Sequence, residues 1–158
     1  MNKYIKIGIG FGLTSGIITT LGLIVGLTAS TQSKIIVIAG ILTIAIADAF
    51  SDALGIHISE ESAKDTSVKE IWQATFSTFF SKIIFSSLFI IPYLMYNIDV
   101  AKFISIIMGM TIIGIFSHFI GLARGMKPWK PVLEHLAIAV IVVLISNFIG
   151  TQISNYIN

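Results

Sequence analysis

The sequence predicts an all-α, polytopic membrane protein: five transmembrane helices in a single domain over residues 1–158, with the amino terminus in the cytoplasm. Composition is the first ground, since 55% of the 158 residues are hydrophobic and 11% charged, against roughly 45–50% and about 25% in soluble domains. Continuity is the second. Five windows of 18 or more mostly apolar residues succeed one another, and a hydrocarbon core takes about 20 residues of helix to cross. Charge placement is the third: Lys3, Lys6, Lys64, Lys69, Arg124, Lys127 and Lys130 fall on one side of those windows, Lys34 and Lys102 on the other. Because Lys and Arg concentrate in cytoplasmic connections, this predicts a cytoplasmic amino terminus and an external carboxyl terminus. A formal charge of +2 scattered over span ends suits membrane orientation and offers no nucleic-acid surface.

In order, the spans are Tyr4–Leu27, Ile35–His57, Ile71–Tyr96, Val100–Ala123 and Pro131–Ile153. Lys3 and Lys6 ahead of the first run imitate the start of a secretory signal. That run is longer than a signal's apolar region and further spans follow, so the expectation is a retained first helix. The connection Ile58–Glu70, ISEESAKDTSVKE, is the charged stretch of the chain and reads as a helical extension and a turn on the cytoplasmic side.

Hydrocarbon satisfies no polar group, so polar side chains inside spans are where function is sought. At 100° per residue the first span places Gly8, Gly12, Ser15, Thr19, Gly22 and Gly26 in one stripe. Small residues at this spacing let helix backbones approach closely; Ser15 and Thr19 can also lend oxygens to an ion. The second span carries Asp48 and Asp52 at i and i+4, with Gly55, Ser59 and Ser62 continuing the face. Each acid near a helix centre costs about 2.5–3.5 kcal/mol on insertion scales, and like charges one turn apart call for a cation or shared protons between them. The competing reading is a structural ion pair with Lys82 in the third span, although one lysine cannot neutralise two acids.

Other candidates carry less. His118 shares a stripe with Thr111, Gly114, Gly121 and Gly125 and is either a proton carrier or a hydrogen-bonded packing residue. Glu60 and Glu61 follow His57 at the cytoplasmic mouth, where they concentrate cations or simply end a solvated helix. His57 itself points about half a turn away from the Asp48/Asp52 face. Glu134 and His135 stand near the start of the fifth span, and Asn147 deeper in it is expected to bond between helices. Met108 and Met110 suit packing.

Several functions are excluded. The chain has no cysteine, so disulfides, thiolate catalysis and Cys-type metal sites are out. It has no P-loop, no G-x-G-x-x-G at a strand end, no H-E-x-x-H and no G-x-S-x-G, which removes an ATP-driven pump and the common hydrolases. An intramembrane acid–base dyad draws its acids from two facing segments, whereas Asp48 and Asp52 are neighbours on one helix. No enzyme and no permanent cofactor are expected.

The run Ser15-Gly16-Ile17-Ile18-Thr19-Thr20-Leu21-Gly22-Leu23-Ile24-Val25-Gly26 resembles the D-G-[IL]-[IV]-T-T-F-G-x-x-x-G signature of the vacuolar iron transporter family. In the second span, Ala47-Asp48-Ala49-Phe50-Ser51-Asp52-Ala53-Leu54-Gly55-Ile56-His57-Ile58-Ser59 is similar to that family's A-G-A-L-S-M-A-A-G-E-Y-x-S. The resemblance implies a homodimer with an ion path between subunits, exporting ferrous iron or manganese from the cytoplasm in exchange for protons. Departures are specific: Ser15 stands for an aspartate, Asp52 for a metal-contacting methionine, Asp48 for a glycine and Gly55-Ile56 for Gly-Glu. The long metal-binding insertion of plant members is reduced to Glu60, Glu61, Asp65 and Glu70.

The resulting expectation is a dimeric secondary transporter in a prokaryotic plasma membrane. Its metal ligands would be Asp48, Asp52, Ser15 and Thr19, its proton-coupling groups Asp48, Asp52, His118 and Lys82, and its cytoplasmic entrance Glu60 and Glu61. The cargo expected is Fe²⁺ or Mn²⁺; an all-oxygen site suits Mn²⁺, Mg²⁺ and Ca²⁺ at least as well as Fe²⁺. The rival reading is a non-transporting membrane scaffold held by an Asp–Lys pair.

Overall fold

The computed structural model describes residues 2–157. Its helices are α1 (Lys3–Thr31), α2 (Lys34–Glu61), α3 (Val68–Ser87), α4 (Ile90–Met95), α5 (Ile98–Ala123) and α6 (Trp129–Ile157), and no strand occurs among the described residues. Five stretches are long and apolar enough to cross a membrane: Lys3–Thr31, Lys34–Glu61, Val68–Met95, Ile98–Ala123 and Trp129–Tyr156.

Local chemistry sets the helix ends. After α1, Gln32 takes a φ of 50°, a left-handed conformation that stops a helix. The Glu70 carboxylate turns back to accept from the Ser67 N–H at 3.0 Å and the Ser67 hydroxyl at 2.7 Å, tying down the start of α3. Asn97 Oδ1 accepts from the Val100 N–H at 3.0 Å and starts α5, while Gly125 at φ 64° follows its end. The expected third helix is interrupted: α3 stops at Ser87 and α4 begins at Ile90. Pro92 has no N–H for the Leu88 carbonyl and its ring collides with that carbonyl, so the helix breaks four residues earlier. The charged connection is as expected, with α2 running on to Glu61 and a turn reaching Ser67.

Two compact units are distinguished: one comprises the chain through Thr20 with Ala39–Phe89, the other Leu21–Ile38 with the chain from Ile90 on. In the first, α1 and α3 run parallel at very close approach. A Cβ on Gly8 would meet Ser77 Oγ at 2.0 Å and the Ala74 carbonyl at 2.4 Å, and one on Gly12 would meet the Thr78 carbonyl at 2.5 Å. The Ser81 hydroxyl donates to the Ile9 carbonyl at 3.1 Å and that of Ser86 to the Gly16 carbonyl at 3.3 Å. Antiparallel to α3, α2 buries Ile41, Ala45, Ala49 and Ala53, every fourth residue and mostly small.

In the second unit, α5 buries Ala101, Ser105, Gly109, Ile113, Ser117 and Gly121 and runs antiparallel to α6. The latter half of α1 runs alongside α6, where a Cβ on Gly150 would lie 2.4 Å from the Gly26 carbonyl. Tyr93 of α4 is fully buried and its hydroxyl pairs with that of Thr28 at 3.2 Å.

Candidate functional site

Within the first unit, three helices bring their polar side chains to one point. Lys82 of α3 is completely buried, and the Ser81 and Ser86 bonds to α1 bracket it in sequence. Its Nζ donates to Ser15 Oγ of α1 at 2.8 Å and to Asp52 Oδ2 of α2 at 2.5 Å. Asp48 Oδ2 also contacts Nζ as an ion pair, but outside hydrogen-bond geometry, so that oxygen's hydrogen-bonding capacity is unused. The i, i+4 spacing on α2 makes the double contact available, since both carboxylates project from one face.

Burial and charge are unequal across this cluster. The side chains of Asp52 and Asp48 are 17% and 28% exposed, and that of Lys82 is 0% exposed. Two carboxylates against one ammonium leave one net negative charge, on the side where Asp48 is open. An ammonium in low dielectric needs its three N–H groups satisfied, and the three oxygens present are of the hard type that also ligates divalent cations. Among the described residues, no three His, Cys, Asp or Glu side chains converge on a common point. Waters or groups from another molecule would complete a cation's shell.

The other predicted residues lie elsewhere. Thr19's hydroxyl donates to the Ser15 carbonyl at 2.9 Å and so braces the turn that carries Ser15. Glu60 is half-buried and Glu61 exposed at the end of α2, about 12 Å along the axis from Asp52 at 1.5 Å per residue. His57 Nδ1 lies 3.0 Å from Thr75 Oγ1. The single Thr75 hydroxyl proton goes to the Ile71 carbonyl, which assigns the Nδ1 proton to His57. The His57 ring meets Trp72 edge-on at 4.8 Å. In the second unit His118 is exposed beside Phe119, and Asn147, expected to bond between helices, is exposed too.

Sequence reasoning missed a second polar pair. Ser117, fully buried on α5, lies with its Oγ 2.7 Å from His135 Nδ1 on α6. The four-residue repeat of mostly small residues along α5 signals that Ser117 faces inward and its neighbour His118 outward, but not that His135 meets it.

No curated protein matches the chain. The family model described as the VIT family matches residues 9–71, a segment that holds Ser15, Asp48 and Asp52 and ends before Lys82. The family implies membrane metal transport, in keeping with five membrane-length apolar helices. Through this segment, the chain is similar to the VIT family.

Proposed function

We propose that the chain works as a homodimer, exporting or sequestering a divalent cation, Fe²⁺ or Mn²⁺, from the cytoplasm in exchange for protons. Its seat would be the oxygens of Asp48, Asp52 and Ser15. The observation that carries this reading is the convergence of two carboxylates and a hydroxyl on the Lys82 ammonium. Here a positive charge already occupies a cation-sized place lined by hard oxygens, with one negative charge to spare. A divalent cation entering past Asp48 would displace the ammonium and bring two charges to two carboxylates. When the cation leaves, the Lys82 ammonium would return and one proton on a carboxylate would supply the second positive charge. Ser15 and Asp52 replace an acid and a thioether of the family pattern, and this harder set supports Mn²⁺ at least as well as Fe²⁺. The cell membrane of a prokaryote is the location proposed, with Glu60 and Glu61 drawing cations to the mouth and His118 on the proton path.

The same contact favours a second reading: Lys82 with Asp48 and Asp52 as a purely structural ion cluster in a membrane scaffold. A thermal-shift series separates the two, using purified protein with Mn²⁺, Fe²⁺ under reducing conditions, Mg²⁺ or Ca²⁺. A ligand that binds only the folded state stabilises it, by about 2.7 kcal/mol at a hundred times Kd. Stabilisation by a transition metal that is lost in Asp52→Asn supports transport. Indifference of the wild type to every cation supports the scaffold.

A further inference from the structure

The exposed edge of α3 carries a feature that the cation cluster does not use. Trp72, Phe76 and Phe80 form a ladder of rings, with centroids 5.2 Å apart between the first two and 6.5 Å between the next. They are 47%, 52% and 57% exposed. Beside the ladder, toward α1, lies a groove of about 450 Å³ whose lining includes Ile5, Lys69, Trp72, Gln73, Phe76 and Phe80. At 1.5 Å per residue, Phe76 and Phe80 lie about 6 and 12 Å along the helix axis from Trp72, and Lys69 stands at the opposite, outer end. The groove thus runs from a cation, past an indole with the Gln73 amide level with it, to two phenyl rings with Ser77 between them. Lys69 is the charged member of its lining. The neighbouring Glu70 carboxylate is engaged by the Ser67 N–H and hydroxyl.

We propose that this groove holds an anionic phospholipid, its phosphate on Lys69 and one acyl chain along Phe76 and Phe80. The order of chemistry along the groove is that of the lipid itself: charge at the rim, an interfacial tryptophan below it, then hydrocarbon. Basic pockets between helices at the membrane surface recognise anionic headgroups. The groove on the other side of the ladder supplies an internal contrast. Lined by Phe50, Leu54, His57, Trp72, Phe76 and Phe79 among others, it has no lysine.

Tryptophan fluorescence tests this in the full chain. The protein has two tryptophans, so Trp129→Phe leaves Trp72 as the reporter. The variant is reconstituted in phosphatidylcholine vesicles containing a small fraction of phosphatidylglycerol brominated on its acyl chains, or the same fraction of brominated phosphatidylcholine. The anionic lipid is expected to be enriched about fivefold at Trp72 over the zwitterionic one, the equivalent of about 1 kcal/mol for one lysine near an anionic surface. Lys69→Gln should bring the two quenching curves together without changing the unfolding temperature, while Lys69→Arg keeps them apart. Equal quenching in the Lys69 protein overturns the proposal. So does a preference that survives Lys69→Gln, since it would then belong to the other lysines of that end.

Discussion

The Lys82 ammonium donates to the Asp52 carboxylate at 2.5 Å, joining α3 to α2 at a point where Lys82 is wholly buried. Asp48, one turn earlier on α2, touches the same nitrogen without a directed hydrogen bond, and Ser15 completes the ring of oxygens from α1. The two carboxylates are therefore not equivalent. Asp52 is the directed partner of the lysine, and Asp48 is the more open acid in contact with the same nitrogen.

Removing the lysine should reveal what the oxygens are for. Lys82→Met leaves two carboxylates facing each other without their cation, and loss of one member of a buried ion pair costs about 3–5 kcal/mol. The proposed function adds a specific consequence: millimolar Mn²⁺ should restore most of the lost stability in Lys82→Met and stabilise it more than it does the wild type. Thermal unfolding in detergent, with and without the metal, measures both. If only a second change of one aspartate to asparagine restores the fold, and no cation does, the cluster is a structural ion pair.

The inequality of the aspartates gives a second expectation. A charge-assisted hydrogen bond contributes about 1.5–3 kcal/mol, so Asp52→Asn should destabilise the protein more than Asp48→Asn, which spares the directed Lys82–Asp52 bond. Both changes should abolish metal-dependent proton movement in proteoliposomes. Transport surviving in both variants would place the cation elsewhere.

How much of this was legible in the sequence differs from residue to residue. The five membrane-length stretches were, because each is a long apolar run and hydrocarbon tolerates only self-satisfied helices. Asp48 and Asp52 on one face followed from their spacing, while Lys82 as their partner was the competing reading. Which way Thr19 turns its hydroxyl did not follow: a threonine on a helix can serve its own i−4 carbonyl or a neighbour, and here it serves Ser15. The break at Leu88–Phe89 had a sign in Pro92 that the apolar run concealed. The meeting of Ser117 with His135 depended on how α5 and α6 pack, which residue spacing within either helix cannot give.

Close helix approach yields a third expectation. A methyl on Gly12 would lie 2.5 Å from the Thr78 carbonyl and 2.9 Å from Ser81 Cβ, backbone and rigid side chain that cannot step aside. Gly12→Ala should therefore separate α1 from α3 at a cost of about 1–3 kcal/mol and loosen the Ser15–Lys82 contact nearby. Gly114→Ala, with nothing within 4 Å of its added carbon, should be neutral or stabilise by up to about 1 kcal/mol through helix propensity. Equal effects in denaturant or thermal unfolding would mean that the α1–α3 approach is looser than described.

The Ser117–His135 pair gives the fourth, and its logic is that of a part-buried hydrogen bond whose two halves need each other. Ser117 is fully buried and its oxygen lies 2.7 Å from His135 Nδ1. Ser117→Ala removes a small hydroxyl but strands the imidazole nitrogen, and His135→Leu strands the hydroxyl; each should cost about 1–3 kcal/mol for the unsatisfied group. The double variant leaves neither stranded. Its loss should fall short of the summed single losses by about 0.5–3 kcal/mol, the range measured for residues in contact. Strict additivity in unfolding free energies would show that the two side chains do not rely on each other, and that α5 and α6 are held at this level by apolar packing and by the seating of Gly121 against Pro128.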